Sequence, residues 1–535
     1  MFQQHKAARI ASLVACFYVA LGSGTHYVYS AYGPQLAARL GFSATQSSVI
    51  ATLASFGVYF VAPAAGVLID RKPPHIPIVI GGILILFGYL MMRLAYVSEI
   101  RSVPFVGVFM VIASMGNTFA YHACVKCAAL NFPRKRGTAT SIAVAGYGLS
   151  ALFFSQIGNA AFSGDTAKFM LMLPLLGSGL VFLGLPFVRH VPVHDSSAVS
   201  ESVERSIVNA EEVENFETEA LVRHGRAPSE VSSLTAGGDF KKEVYSAVSE
   251  FEQESILSIG ESSGASYEEA QIAPTSNNEI DIHGRALFRD WRFWMHFVIF
   301  GFLSGCGLMY ILSLGYVLRA LFTYANPFIS PADLSKNQAV QVSLVSSFSF
   351  LGRIIGGYSA DRLDRHGFQR LWVVLVSGIA FLFAQIGGIT IASSRFMWFI
   401  SIFNGLGYGG LFGSYASIIS EMFGIKRFSE NYGYITIATV VGSDIFAFAF
   451  GAIYDNHSFY VSEDIDSNTR RFGSQVGQVC DLGIDCYREA FAITLPGAVV
   501  AIILTVIMMF YENRRITKER NVSVALVDDE SAVSI

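Results

Sequence analysis

Residues 66–71 read Gly66-Val-Leu-Ile-Asp70-Arg71, and residues 357–362 read Gly357-Tyr-Ser-Ala-Asp361-Arg362. Each copy of Gly-x-x-x-Asp-Arg closes an apolar run, and the two lie 291 residues apart. The same offset relates Phe132, Lys135 and Arg136 to Phe423, Lys426 and Arg427. Gly22, Gly24, Tyr27 and Ser30 recur as Gly305, Gly307, Tyr310 and Ser313 at a spacing of 283, so an insertion near Pro327 and Pro331 reconciles the two offsets. The chain therefore reads as a duplicated unit with both copies in one orientation. Gly lets two helices approach closely, and the Asp can meet cations or a helix N-terminus. Gly66, Asp70, Arg71, Gly357, Asp361 and Arg362 are therefore candidates for a gate rather than a static clamp.

Outward from these motifs, the solvent is lipid. Hydrophobic residues make up 52% of the 535 and charged residues only 15%, against roughly 25% charged in soluble domains. A span needs about 20 apolar residues. Twelve runs meet that length, at 9–33, 45–69, 76–97, 104–130, 138–161, 167–189, 292–318, 337–360, 370–392, 396–420, 429–454 and 488–511. No β alternation is seen, so the predicted fold is an all-α membrane protein, with twelve transmembrane helices in two pseudo-symmetric six-helix bundles. The expected domains are a bundle over 1–190, a linker over 191–290, a bundle over 291–512 and a tail over 513–535. The linker carries twenty acidic and seven basic residues, a net of −13 against −4 for the whole chain. That composition predicts disorder. Lys and Arg gather on the motif-bearing loops, which places both termini and the linker in the cytosol.

Two stretches carry a family resemblance. Tyr29-Ser-Ala-Tyr-Gly-Pro-Gln-Leu-Ala-Ala-Arg-Leu-Gly-Phe-Ser-Ala-Thr-Gln46 resembles the opening of nodulin-like proteins of the major facilitator superfamily. Asn131-Phe-Pro-Arg-Lys-Arg-Gly-Thr-Ala-Thr-Ser-Ile-Ala-Val-Ala-Gly-Tyr-Gly-Leu-Ser150 resembles both these and the monocarboxylate transporters. With its acidic insertion, the chain is most similar to the fungal monocarboxylate-transporter-homologue group. The resemblance implies the major facilitator fold, a vacuolar membrane, a monocarboxylate-like solute, and a solute path lined by spans one, four, seven and ten. Where monocarboxylate transporters pair an Arg of span eight with an Asp one turn earlier, this chain has Arg353 and Ser349.

Several polar residues lie inside apolar runs. Asp444 is about 15 residues, or about 22 Å, into span eleven; it is either a proton carrier or a fixed helix–helix hydrogen bond. Arg353 is either a bidentate anchor for a solute carboxylate or a structural partner of Asp361 or Glu421. Asn117, Tyr121 and Cys124 form one stripe and Asn404, Tyr408 and Tyr415 another, facing the solute path or gluing helices together. Tyr27 and Tyr310 join the path candidates. His26, Tyr27, Tyr29 and Tyr32 read as a pH-sensing group or an interfacial aromatic belt. Lys126 is expected to snorkel.

Cys480 and Cys486, in the loop after span eleven, are the disulfide candidate. Cys124-x-x-Cys127 lacks the partners of a metal or redox site, so neither metal nor cofactor is expected. No Walker-type loop or acid–base constellation is present, so enzymatic activity is not expected either. The expected partners are a small solute driven by a proton or solute gradient, the bilayer, no nucleic acid, and sorting adaptors at Glu217-x-x-x-Leu221-Val222. The rival reading is a transport-inactive nutrient sensor that signals through the linker.

Overall fold

The computed structural model describes residues 2–191 and 281–533, apart from 43, 163–164, 327–330 and 462–476. The linker and its sorting signal lie outside the described residues.

The first half runs α1 (Phe2–Ser23), a 3-10 turn (Thr25–Val28), α2 (Tyr29–Leu40), α3 (Ala44–Tyr59), α4 (Ala62–Arg71), α5 (His75–Val97), α6 (Val103–Asn131), α7 (Arg136–Ala161) and α8 (Thr166–Gly184). The second half begins with the short α9 (Arg285–Arg289). It continues with α10 (Trp291–Ala325), α11 (Pro331–Arg365), α12 (Leu371–Thr390), α13 (Met397–Phe423), α14 (Phe428–Asn456) and α15 (Arg488–Val533).

Two of the expected spans are interrupted. The first breaks after Gly24, which lies directly against Tyr147 and Ser150 of α7. The second breaks between α3 and α4, just ahead of Pro63. Proline has no N–H to give, and its ring collides with the carbonyl four residues back.

Among the described residues, eleven spans are long and apolar enough to cross a membrane by length and composition. The twelfth expected run is α13, a 27-residue helix rich in Gly and Ser and buried along most of its length. Its lower apolarity follows from its place. It has little lipid to face, and its glycines let α11 pack backbone to backbone, with Gly352 over Leu406 and Gly356 over Gly410. The outer helices show the reverse. Leu183, Phe448 and Phe510 are 69%, 80% and 68% exposed, as only a hydrocarbon environment tolerates across a whole perimeter.

The halves meet chiefly where α4 packs on α14 and α7 on α11, with α7 also against α13 and α3 against α14. Gly433 of α14 sits on Ala62, and a Cβ on Gly137 would lie 2.6 Å from the Gly357 carbonyl. The absence of strands is corrected in one place. Phe459–Val461 pairs antiparallel with Gly477–Val479 as a small hairpin in the loop after α14. In the same loop Cys480 and Cys486 form a disulfide, with Cα atoms 6.1 Å apart.

Candidate functional site

The repeated motifs form two latches between the halves. Asp70 accepts the Ser429 and Glu430 N–H groups at 3.1 and 2.9 Å, in the first turn of α14. Asp361 accepts the Gly137 and Thr138 N–H groups at 2.8 and 2.6 Å, in the first turn of α7, and the Thr138 hydroxyl at 2.7 Å. These N–H groups have no partner within their own helices, and a helix N-terminus favours a negative charge. The two side chains are 0% and 1% exposed, so each charge needs compensation. Lys126 supplies it for Asp70 at 2.9 Å, and Arg370 for Asp361 at 3.3 Å.

Arg71 and Arg362, the conspicuous arginines of the motif, are exposed instead. The snorkelling expected of Lys126 is corrected, because its ammonium turns inward to the buried carboxylate and the Ile69 carbonyl. Neither cation obeys the 291-residue repeat. Position 417, the counterpart of Lys126, is Ser, and position 79, the counterpart of Arg370, is Val. The repeat could not reveal them.

Beyond the latches lies a buried cluster around Arg353. Its residue is 2% exposed. Nη1 donates to the Val144 carbonyl of the other half at 3.1 Å. The guanidinium carbon lies 6.0 Å from the Tyr408 ring centre and 5.9 Å from that of Phe412, a cation–π geometry. Nε has no hydrogen-bond partner. The structural pairing with Asp361 or Glu421 is corrected, since both acids hold Arg370. Arg353 also lies within electrostatic reach of His26, Tyr59, Tyr121, Tyr147 and Tyr432.

Tyrosines connect these groups. The Tyr27 hydroxyl is 3.2 Å from that of Tyr59 and 3.4 Å from that of Tyr408 across the halves. The Tyr147 hydroxyl is 3.0 Å from His26 Nδ1. The Tyr121 ring lies 4.3 Å from that of Tyr147, and the His122 ring 5.5 Å from that of Tyr432. His26 and Tyr32 are 7% and 1% exposed, which corrects the aromatic-belt reading for them; the 3-10 turn carries His26 and Tyr27 inward. Tyr59, Tyr147, Phe412 and Tyr432 were not singled out from sequence. They come from four elements and share no spacing.

Gly148 makes room for the guanidinium, because a Cβ there would overlap Nη1. Gly148→Ala is therefore expected to displace Arg353 from Val144 and cost about 1–3 kcal/mol, read as a lower melting temperature. Gly179→Ala, with nothing within 4 Å of the new methyl, is expected not to lower it.

The remaining candidates separate into smaller sites. Asn117 accepts the Thr25 hydroxyl at 3.1 Å, and its Nδ2 is unpartnered. Asn404 donates to the Gly307 carbonyl at 3.2 Å, and its Oδ1 is unpartnered. Tyr310, Ser401 and Gln341 form a hydrogen-bonded chain with both steps at 2.7 Å. Tyr415 pairs with His296 at 3.2 Å. Asp444 is half-buried beside the exposed Val441, Ile445 and Phe448. Eleven residues, three helical turns, put it on the same face of α14 as Gly433. None of its contacts joins it to the Arg353 cluster. Among the described residues no group of three His, Cys, Asp or Glu could hold a metal ion.

Comparison with known proteins places this geometry. The Nodulin-like family model matches residues 9–213, and the Major Facilitator Superfamily model matches residues 312–526. The first half of the chain is thus similar to the nodulin-like family and the second half to the major facilitator superfamily. The protein is a multi-pass membrane protein. It is 27% identical to an uncharacterised membrane protein of Saccharomyces cerevisiae over 533 residues, covering 93% of this chain and 94% of the relative. It is 24% identical to a Neurospora crassa protein named "Probable transporter mch1", covering 91% and 86%. Among solved structures, the proton:xylose symporter XylE shares the fold at TM-score 0.58 and 14% identity, covering 94% of this chain and 96% of that one. A bacterial homologue of the iron transporter ferroportin, in an outward-facing state, does so at 0.56 and 12%, covering 93% and 98%.

Proposed function

We propose that this protein carries a small organic anion of the monocarboxylate type across its membrane by alternating access. One observation carries the reading. Arg353 is buried where the halves meet, among tyrosines and a phenylalanine, and forms no ion pair among the described residues. An uncompensated buried charge is costly, and an anionic solute compensates it while occupying the guanidinium's free edge. Tyr27, Tyr121 and Tyr408 supply the surrounding donors and acceptors, and Asn117, Asn404 and Tyr310 offer polar groups elsewhere along the path. The latches would close the cytosolic side, and their release would open it. The acidic linker and both termini face the cytosol on this reading, and the membrane is that of the vacuole.

The test is a ligand screen on purified protein with carboxylates, amino acids and sugars, followed by uptake into proteoliposomes. Carboxylates are expected to raise the melting temperature and to be taken up. A response confined to sugars would overturn the anion reading. Asp444 is the candidate for proton coupling. Asp444→Asn is expected to abolish uptake driven by an imposed pH gradient while leaving carboxylate binding intact. Unaltered pH-driven uptake would rule that role out.

A further inference from the structure

The linker leaves and returns through two buried clasps, one on the helix end that leads into a latch and the other on a helix end that carries one. At its start, residues 188–191 lie in the cleft between α1 and α6, with Val188 and Val191 buried. Asn131, the last residue of α6 and 1% exposed, donates to the Arg189 carbonyl at 3.0 Å and accepts the Val191 N–H at 2.9 Å. Ser12 of α1 and Cys127 of α6 donate to the same carbonyl at 3.1 and 3.4 Å. At its end, the Ile282 N–H donates to the carbonyl of Phe423, the last residue of α13, at 3.0 Å. Asn431 of α14, fully buried, donates to the Ile282 carbonyl at 2.8 Å. Leu287 of α9 is fully buried, and the Phe288 ring packs edge-on against Tyr434 at 4.8 Å.

The two clasps occupy related places. Asn131 and Phe423 each end the fourth span of their half, α6 and α13. The turn that follows leads, in the first half, to Gly137 and Thr138, which Asp361 grips, and in the second to Ser429 and Glu430, which Asp70 grips. Asn431 is the next residue after that second pair. A carboxylate holds such N–H groups only within a few tenths of an ångström of 2.9 Å, so whatever fixes these helix ends governs the latches. An Asn amide suits the task because it offers a donor and an acceptor together and can pair with a backbone strand.

We propose that Asn131 and Asn431 are positioning residues that fasten the two ends of the linker beside the latched N–H groups, Asn131 on the helix end that leads into them in the first half and Asn431 in the helix turn that presents them in the second, so that the docked ends of the linker are part of the closed gate. The inference rests on the alternating-access reading for what the gate does, and its test keeps the two apart.

Spin labels at Lys72→Cys and His366→Cys, exposed positions after α4 and after α11, report separation of the halves by electron–electron distance measurement in the full chain in nanodiscs. The free native cysteines Cys16, Cys124, Cys127 and Cys306 are buried. Hydrogen exchange at 282–289 reports release of the second clasp. Asn431→Ala is expected to lower the ratio of short to long distances roughly five-fold, the effect of losing one buried hydrogen bond, and Asn131→Ala, which loses two, to lower it at least as far. Asn431→Ala is also expected to speed exchange at 282–289. If either truncation prevents folding, the near-isosteric Asn→Leu at the same position is measured instead. Faster exchange with an unmoved distance distribution would show a strap that is merely structural and would overturn the proposal. So would unchanged exchange in Asn431→Ala. Asp361→Asn serves as the reference. If it shifts the distances and the clasp variants do not, the clasps alone are refuted. If none of the variants shifts them, the gate itself fails and the proposal falls with it.

Discussion

Asp361→Asn is expected to lower the closed-to-open ratio of the motif-bearing side on the order of 100-fold and to abolish uptake. The asparagine keeps the shape but can place an NH2 against the Gly137 and Thr138 N–H groups, donor facing donor. It also leaves Arg370 without its most buried partner, although Asp364 and Glu421 still hold it at 2.9 and 2.8 Å. Breaking a buried pair from one side costs roughly 3–5 kcal/mol. The lower end applies here because Arg370 keeps those two acids, and about 3 kcal/mol is about two decades. Asp70→Asn is expected to do the same at least as strongly. Asp70 accepts two backbone bonds and no hydroxyl, but it is the one acid paired with Lys126 among the described residues, and its loss leaves the ammonium only the Ile69 carbonyl at 3.3 Å. The distance measurement between the halves reads both variants. An Asp70→Asn variant that leaves the distances unmoved would contradict this account of the latches.

Arg353→Gln is expected to remove the carboxylate-induced rise in melting temperature and to weaken carboxylate binding by at least about 30-fold, since truncating one partner of a buried charge pair costs roughly 2–5 kcal/mol. The empty protein should behave differently. It bears a buried charge with an unpartnered Nε, so removing that charge is expected to leave the melting temperature unchanged or to raise it. A purely structural arginine makes the opposite forecast, with a less stable empty protein and an unaltered ligand response. Arg353→Lys is expected to fall between wild type and Gln. An ammonium keeps the charge but cannot span the Val144 carbonyl and the Tyr408 and Phe412 faces as a planar guanidinium does. Calorimetric binding and melting curves on the same preparations decide between these outcomes.

How legible each part was follows from how many residues encode it. A membrane span needs about 20 residues of one character, so composition betrays it. α13 shows the limit, since an interior helix can trade apolarity for glycine and serine because other helices cover it. The latch carboxylates were legible because the duplication printed Asp70 and Asp361 twice at one offset. Their counter-charges were not, because Lys126 and Arg370 approach from different helices in the two halves, and a single long side chain can arrive from many directions. Arg353 was legible as an oddity, an arginine inside an apolar run. Its surroundings were not, because Tyr27, Tyr59, Tyr147, Tyr408 and Tyr432 are drawn together only when six-helix bundles close on one another. Asp444 stood out by the same rule, yet it lies apart from that cluster, since depth in a span says nothing about which way the helix face turns.

The sequence by itself determined the membrane as solvent, the duplicated architecture and the two motif carboxylates, because each rests on chemistry repeated along the chain. Only the tertiary structure decided which cation neutralises which carboxylate, that Arg353 meets aromatic faces and a carbonyl rather than an acid, and that the ends of the linker are docked on the gate. Those are contacts between residues tens to hundreds of positions apart. Their energy depends on distance and burial in three dimensions, which no periodicity in one dimension records.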